Sequence, residues 1–325
     1  MTRSGISIWI EKLHLPCYLS HVPLYYLDMG QRLGQHFLIN ADKLKKVADA
    51  LEIQRGDVVI EIGPGHGELT QYLLEAGARV IALERDTALI EPLKKKFGGA
   101  GKSGDFQIIE GNALETLPII VDALSEGRLC LDEMQGADEA CDRDVESLLR
   151  ERKRGGNAAD RQTVAPLFKI AGNIPYYITG YLLRVMEELE HKPTRVVLTI
   201  QKEVAERICA DAPRMNLLAA SVRFWADPKI VDIVPKKDFN PPPKVDSATI
   251  RLDVRPTEEM EGDAYYAYIK KIFTQPRKTI ANNLAGKEGD KDAIADMLKR
   301  AGIDAQKRPH NLSMEDIYRL IRTAV

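Results

Sequence analysis

The chain has 325 residues, 44% of them hydrophobic, enough for one large domain and a smaller one with full cores, and its formal net charge of −2 argues against a wholly basic nucleic-acid binder. No apolar run reaches the roughly 18 residues of a membrane helix, because charge or proline breaks every candidate. Cys17, Cys130, Cys141 and Cys209 are scattered, with no C-x-x-C spacing and no nearby histidine cluster, so neither a metal site nor a disulfide framework is suggested and a reducing, cytoplasmic setting fits.

Residues 1–29 show no clean period and no signal-peptide layout, and they end at Met29; they read as an N-terminal extension, either disordered or an over-long start. From Ala41 the text alternates. ADKLKKVADALEI places Leu44, Val47, Ala48 and Leu51 on one helical face, with Asn40 or Asp42 as its cap. DVVIEIG is a short apolar strand, GELTQYLLEAG a helix, RVIALERD a second strand, TALIEPLKKKF a helix and FQIIEGNAL a third strand. Such alternation implies parallel strands with right-handed crossovers, an α/β doubly wound sheet. A charged segment at about 116–165 then interrupts the pattern and reads as a mobile surface insertion, with a solvated helix considered near 145–152. After it come the strand KIAGNIPYY, the helix ITGYLLRVMEELE, the strand TRVVLTIQ, the helix KEVAERICA and the strands KIVDIVP and SATIRLDV, the last two joined by the proline-rich KKDFNPPPKVD. From Pro256 strand signals stop, and AYYAYIKKIFTQPRKTIANNLAG, DKDAIADMLKRAG and SMEDIYRLIRTA read as helices of a second domain, the last with Ser313 and Asp316 spaced as a capping box. The division expected is an extension at 1–29, a sheet domain at 30–255 and a helical domain at 256–325.

EIGPGHGELT lies where the first strand meets a helix. Gly63, Gly65 and Gly67 let the backbone turn tightly against a ligand in front of free helix N–H groups, but Glu68 stands where the dinucleotide fingerprint has its last glycine. Glu84, about 20 residues on, is placed to bind ribose hydroxyls, and Asn112, ending the third strand, to read an adenine amine; a solvated acid and a turn-forming Asn are their bland alternatives. Together they imply an adenosine-containing cofactor. Asn173 ends the fourth strand beside that site. Its side-chain oxygen and the Ile174 carbonyl, aimed by Pro175, are suited to accept the two N–H bonds of an exocyclic adenine amine, and Tyr176 offers a face to its ring. The competing reading is a helix-capping turn. Tyr177 has no role in this scheme beyond core packing.

RLGQHFL, EIGPGHGELT, ALERD, GNIPYYIT, QKEVAERI, FNPPPKVDSATIRL, FTQPRKTIANNL and NLSMEDIYRL, in order over residues 30–322, resemble the small-subunit ribosomal RNA adenine dimethyltransferases of the KsgA type. The resemblance implies a Rossmann-like class I S-adenosylmethionine-dependent methyltransferase with a small C-terminal helical domain, monomeric and without a metal, that converts two adjacent adenines of the 30S particle's rRNA to N6,N6-dimethyladenine. It makes His36 and Leu38 the N-terminal cofactor contacts, puts Gly63 at the methionine end with Gly65 beside it, assigns Glu84 to the ribose and Asn112 to the adenine, and has Asn173 bridge cofactor and target. Phe239 is implied to stack on the target base opposite Tyr176, against an equal reading as an apolar anchor for the proline-rich loop. The chain departs from the family in Asn112 where Asp is usual, in the long charged segment, and in its lack of basicity, which leaves RNA contact to patches such as Lys236, Lys237, Lys244, Arg277 and Lys278. An Erm-type large-subunit rRNA methyltransferase and a non-catalytic assembly factor are the alternatives; a nicotinamide oxidoreductase is disfavoured by Glu68.

Overall fold

The computed structural model describes residues 35–98, 105–127, 129, 167–256, 262–286 and 289–324. The extension expected at 1–29 and the helix considered near 145–152 lie outside them. The first elements are β1 (Phe37–Leu38) and α1 (Ala41–Ala50). Asn40 is the cap that α1 uses: its side chain accepts from the N–H groups of Asp42 and Lys43.

The alternation expected from the sequence follows as β2 (Val58–Ile62), α2 (Glu68–Glu75), β3 (Arg79–Glu84), α3 (Thr87–Phe97) and β4 (Phe106–Glu110). All five residues of β2 are buried, as a strand covered on both faces must be. The next element corrects an expected boundary. Residues 116–125 belong to α4 (Ala113–Ser125), not to a solvated insertion, because LETLPIIVDALS buries Leu117, Ile120, Val121 and Leu124 against the sheet domain's core. The remainder of the charged segment, apart from residues 126, 127 and 129, lies outside the described residues.

The chain continues through β5 (Phe168–Asn173), a 3-10 turn (Tyr176–Ile178), α5 (Thr179–Glu188), β6 (Arg195–Gln201), α6 (Lys202–Ile208), α7 (Leu217–Trp225), β7 (Ala226–Val234), β8 (Phe239–Asn240) and β9 (Ser247–Val254). Among the described residues seven strands form one sheet in the order β4-β3-β2-β5-β6-β9-β7. The first five are parallel, and β9 runs antiparallel to both β6 and β7, so the doubly wound sheet ends in an antiparallel pair that alternation alone does not reveal. Strand order reverses between β2 and β5. In open sheets of this kind the crevice outside the carboxyl ends of such a pair is where ligands bind. β1 and β8 pair separately, Phe37 opposite Asn240 and Leu38 opposite Phe239.

One core position is at odds with its surroundings. Gln107 in β4 is fully buried, and neither amide atom has a hydrogen-bond partner among the described residues. An amide desolvated without compensation costs about 1–3 kcal/mol. Gln107→Met, close in volume, is therefore expected to raise the thermal midpoint by a few degrees in a calorimetric scan.

Among the described residues four α-helices follow: α8 (Gly262–Ile272), α9 (Ile280–Ala285), α10 (Lys291–Arg300) and α11 (Met314–Ala324). The single helix expected from AYYAYIKKIFTQPRKTIANNLAG is two, α8 and α9. Thr279 starts the second by capping it, and the Asn283 amide accepts from Gln275 N–H and donates to the carbonyls of Gln275 and Thr279, which fixes the bend around Pro276. Tyr265 seats α8 on α7, its ring stacked on Phe224 at 4.1 Å and its hydroxyl donating to the Ala220 carbonyl at 2.9 Å. The capping box of α11 is present: Ser313 Oγ accepts from Asp316 N–H, and the Asp316 carboxylate accepts from Ser313 N–H.

Candidate active site

The carboxyl ends of β2 and β5 lie side by side at the strand-order reversal, Ile62 opposite Gly172. This register sets the glycine turn against Asn173: a Cβ placed on Gly63 would lie 4.0 Å from the Asn173 carbonyl oxygen. Gly65 is a point of close approach in the turn. Its φ is +60°, and a Cβ there would lie 2.7 Å from the Phe37 ring. Gly65→Ala adds about 1–2 kcal/mol of left-handed strain besides that clash. Escaping both means moving the turn, so roughly tenfold weaker binding of S-adenosylhomocysteine by calorimetry is expected from a protein that still folds.

The Gly65 N–H points at Glu84. That carboxylate, 5% exposed at the end of β3, takes the Gly65 N–H on Oε2 at 3.2 Å and the N–H groups of Arg85 and Asp86 on Oε1 at 2.8 Å each. Burial pushes its pKa up, against the three backbone bonds that favour the charge. Glu84 and the glycine turn, about 20 residues apart in sequence, are thus one structure. Asn112 stands at the end of β4 as expected, but its side chain caps α4: Oδ1 accepts from Leu114 N–H, and Nδ2 donates to Glu115 at 3.2 Å. The turn-type reading of Asn112 is therefore the one the geometry displays. An amide has a physical reason to stand here, because it can donate to Glu115, whose burial already raises its pKa, where a second carboxylate would repel it.

Asn173 ends β5 half-buried, and its Nδ2 donates to the His36 carbonyl at 2.7 Å. This bond orients the amide and leaves Oδ1 as an acceptor without a hydrogen bond among the described residues. Ile174 is 1% exposed, and its N–H is held by the Thr199 carbonyl at 3.0 Å. Pro175 has φ −54° and ψ 130°, an extended entry into the 3-10 turn that carries Tyr176. The Tyr176 hydroxyl is hydrogen-bonded to Ser247 Oγ at 2.8 Å, and its ring centroid lies 6.4 Å from that of His36. His36 is in turn fixed by Nδ1 on the Pro241 carbonyl at 2.7 Å.

Burial narrows two expected contacts. Leu38, 4% exposed, and Phe239, 3% exposed, oppose each other in the β1–β8 pair with their side chains inside the hydrophobic core. Leu38 therefore has only its backbone to offer a cofactor. Phe239 is the anchor of the proline-rich loop here, and a buried ring presents no face to a base. Tyr177, expected in the core, is 36% exposed.

One further functional group is visible only in the folded protein. Glu61 in β2, 1% exposed, lies beneath the glycine turn with Oε2 accepting from Thr70 Oγ at 2.6 Å. Burial, reinforced by Glu84 and Glu68, raises its pKa to about 8. Its one signal in the sequence is an acid inside an apolar strand, the E of EIG before the glycines. The donor and acceptor set suits S-adenosylmethionine: a buried carboxylate on the glycine turn for a ribose diol, and a helix start at Gly67 without a side-chain cap.

Comparison with known proteins agrees with this geometry. The sequence profile described as ribosomal RNA adenine dimethylase matches residues 28–324. The chain belongs to this family. Dimethylases of this family use S-adenosylmethionine as methyl donor, and the protein is such an enzyme. Ribosomal RNA small subunit methyltransferase A of Dehalococcoides mccartyi strain CBDB1 is 36% identical over 296 residues, 90% of this chain and 87% of that protein. The protein of the same name from Clostridioides difficile strain 630 is 31% identical over 302 residues, 91% of this chain and 90% of its own. Among solved structures, a dimethyladenosine transferase from Plasmodium falciparum matches with a TM-score of 0.65 at 24% identity, covering 88% of this chain and 96% of its own. The 23S rRNA methyltransferase ErmE matches with a TM-score of 0.61 at 21% identity, covering 88% and 98%. These two likenesses show the shared fold, a Rossmann-like class I methyltransferase followed by helices.

Proposed function

We propose that this dimethylase acts on small-subunit rRNA in the 30S particle, transferring two methyl groups to the N6 amine of each of two adjacent adenines, and that it works as a cytoplasmic monomer with the helices from α8 onward facing the RNA. The observation that carries the catalytic part is the orientation of Asn173 at the glycine turn: its backbone carbonyl lies against Gly63, its Nδ2 is occupied by the His36 carbonyl, and its Oδ1 takes no hydrogen bond among the described residues. S-adenosylmethionine supplies an electron-poor methyl group on a sulfonium. The residues of the chain then have separable tasks. Asn173 Oδ1 and the Ile174 carbonyl accept the two N–H bonds of the amine, drawing its lone pair out of the ring toward attack. Tyr176, pinned by Ser247, holds the ring of a base splayed out of its loop. Glu84 and the turn at Gly63 and Gly65 hold the donor, with His36 closing the site from β1's side. The methylated amine is acidic and loses its proton to water, so no strong base is required.

Mass analysis of rRNA nucleosides after incubation with undermethylated small subunits, and in parallel with large subunits, tests the reading. Dimethyladenine in small-subunit rRNA alone is expected. Product in large-subunit rRNA, or RNA binding without release of demethylated donor, would overturn it.

A further inference from the structure

Beside the proposed base pocket lies a cleft of about 440 Å³, lined by Gln201, Lys202, Lys236, Lys244, Val245 and Asp246 along with two glutamates of α6. Resting on the adenine reading above, we infer that this cleft seats the sugar-phosphate backbone flanking the target adenine, with Lys236 and Lys244 on its phosphates. The placement follows from the sheet. Gln201 ends β6 and pairs with Ser247, the first residue of β9, and Ser247 is the residue that holds the Tyr176 hydroxyl. The cleft wall is therefore one residue from the group that positions the ring, and a base bound on Tyr176 carries its own phosphates to this edge.

The charges in the cleft are unevenly matched. Lys202 lies 3.9 Å from Glu206, and its N–H donates to the Asp246 carbonyl. The Asp246 carboxylate accepts the Lys236 backbone N–H at 3.0 Å, which ties the 3-10 turn Lys236–Asp238 to the cleft wall without using the lysine's ammonium. Lys236 and Lys244 have no carboxylate partner among the described residues, and Glu203 is the remaining acid, exposed on α6. Val245, 46% exposed, gives an apolar surface suited to a sugar. Two free ammonium groups at the rim of a half-apolar trough match an anionic strand better than a protein acid or a free anion.

Binding of the protein, loaded with S-adenosylhomocysteine, to undermethylated small subunits is measured across salt concentrations for wild type, Lys236→Gln/Lys244→Gln, Lys236→Arg/Lys244→Arg and Lys45→Gln. Removing one ammonium from a phosphate makes the log–log slope shallower by about 0.7–0.9, so the double glutamine variant is expected to flatten it by that amount or twice that amount, with cofactor affinity and thermal midpoint unchanged. The arginine pair keeps the wild-type slope. Lys45, exposed on α1 and outside the cleft, serves as the control. An unchanged slope in the double glutamine variant, or an equal effect of Lys45→Gln, would overturn the inference. Failure of the adenine reading is separate and is seen in wild type alone, as absence of methyl transfer to small-subunit rRNA.

Discussion

Asn173→Ala is expected to lower methyl transfer by about 10²–10³-fold, the loss that follows removal of one preorganised polar partner from a transition state. The adenine amine is a poor nucleophile because its lone pair is shared with the ring. As the nitrogen attacks it gains positive charge, and each N–H becomes a stronger donor, so an acceptor fixed in place binds the transition state better than the ground state. Asn173 is fixed by Nδ2 on the His36 carbonyl at 2.7 Å. Losing that bond costs about 1 kcal/mol of stability, too little to unfold the chain. Asn173→Asp is informative beside it: an acceptor remains, but one carboxylate oxygen now faces the His36 carbonyl and is repelled, so activity is expected to fall although an acceptor group is present. Single-turnover transfer from labelled donor, with mass analysis of the nucleosides, checks both. Dimethyladenine formed by Asn173→Ala at the wild-type rate would remove the residue from the mechanism.

The parts of this site that can be read from the sequence are those fixed by backbone geometry. A strand that ends in glycines, an acid about 20 residues on and Asn-Ile-Pro-Tyr after another strand each carry a local reason, and the parallel register of β2, β3 and β5 brings them to one edge. What stays hidden depends on partners far along the chain. Nothing near Asn173 says that residue 36 supplies the carbonyl that orients it, and nothing near Tyr176 points to Ser247. The roles of Phe239 and Leu38 are decided by a two-residue strand pair too short to show a period. The charged segment reads as starting too early because the apolar residues of α4 sit among acids, and the antiparallel pairing of β7 with β9 leaves no mark in strand–helix alternation. Side-chain burial, finally, is what separates Glu61 from an ordinary strand-end acid, and burial is a property of the assembled sheet.

Glu61 gives the second large effect, on stability against pH. Its folded pKa is raised from the ordinary 4.5 to about 8, chiefly because burial penalises the charge. Below about pH 4.5 the carboxyl is protonated in folded and unfolded chains alike, and its contribution is fully present. Between that value and about 8 the folded protein keeps a proton that the unfolded chain has released, so stability falls as pH rises, by on the order of 5 kcal/mol at most across the window. Glu61→Gln retains an oxygen to accept from Thr70 Oγ and removes the titration. Its denaturation midpoint is therefore expected to vary much less than that of wild type between pH 5.5 and 8, with the two proteins diverging most at the alkaline end, where the variant is the more stable. Urea titrations of both proteins at a series of pH values, in the absence of cofactor, give the comparison. Parallel pH profiles would mean that Glu61 is charged in the folded protein, stabilised by a group other than Thr70.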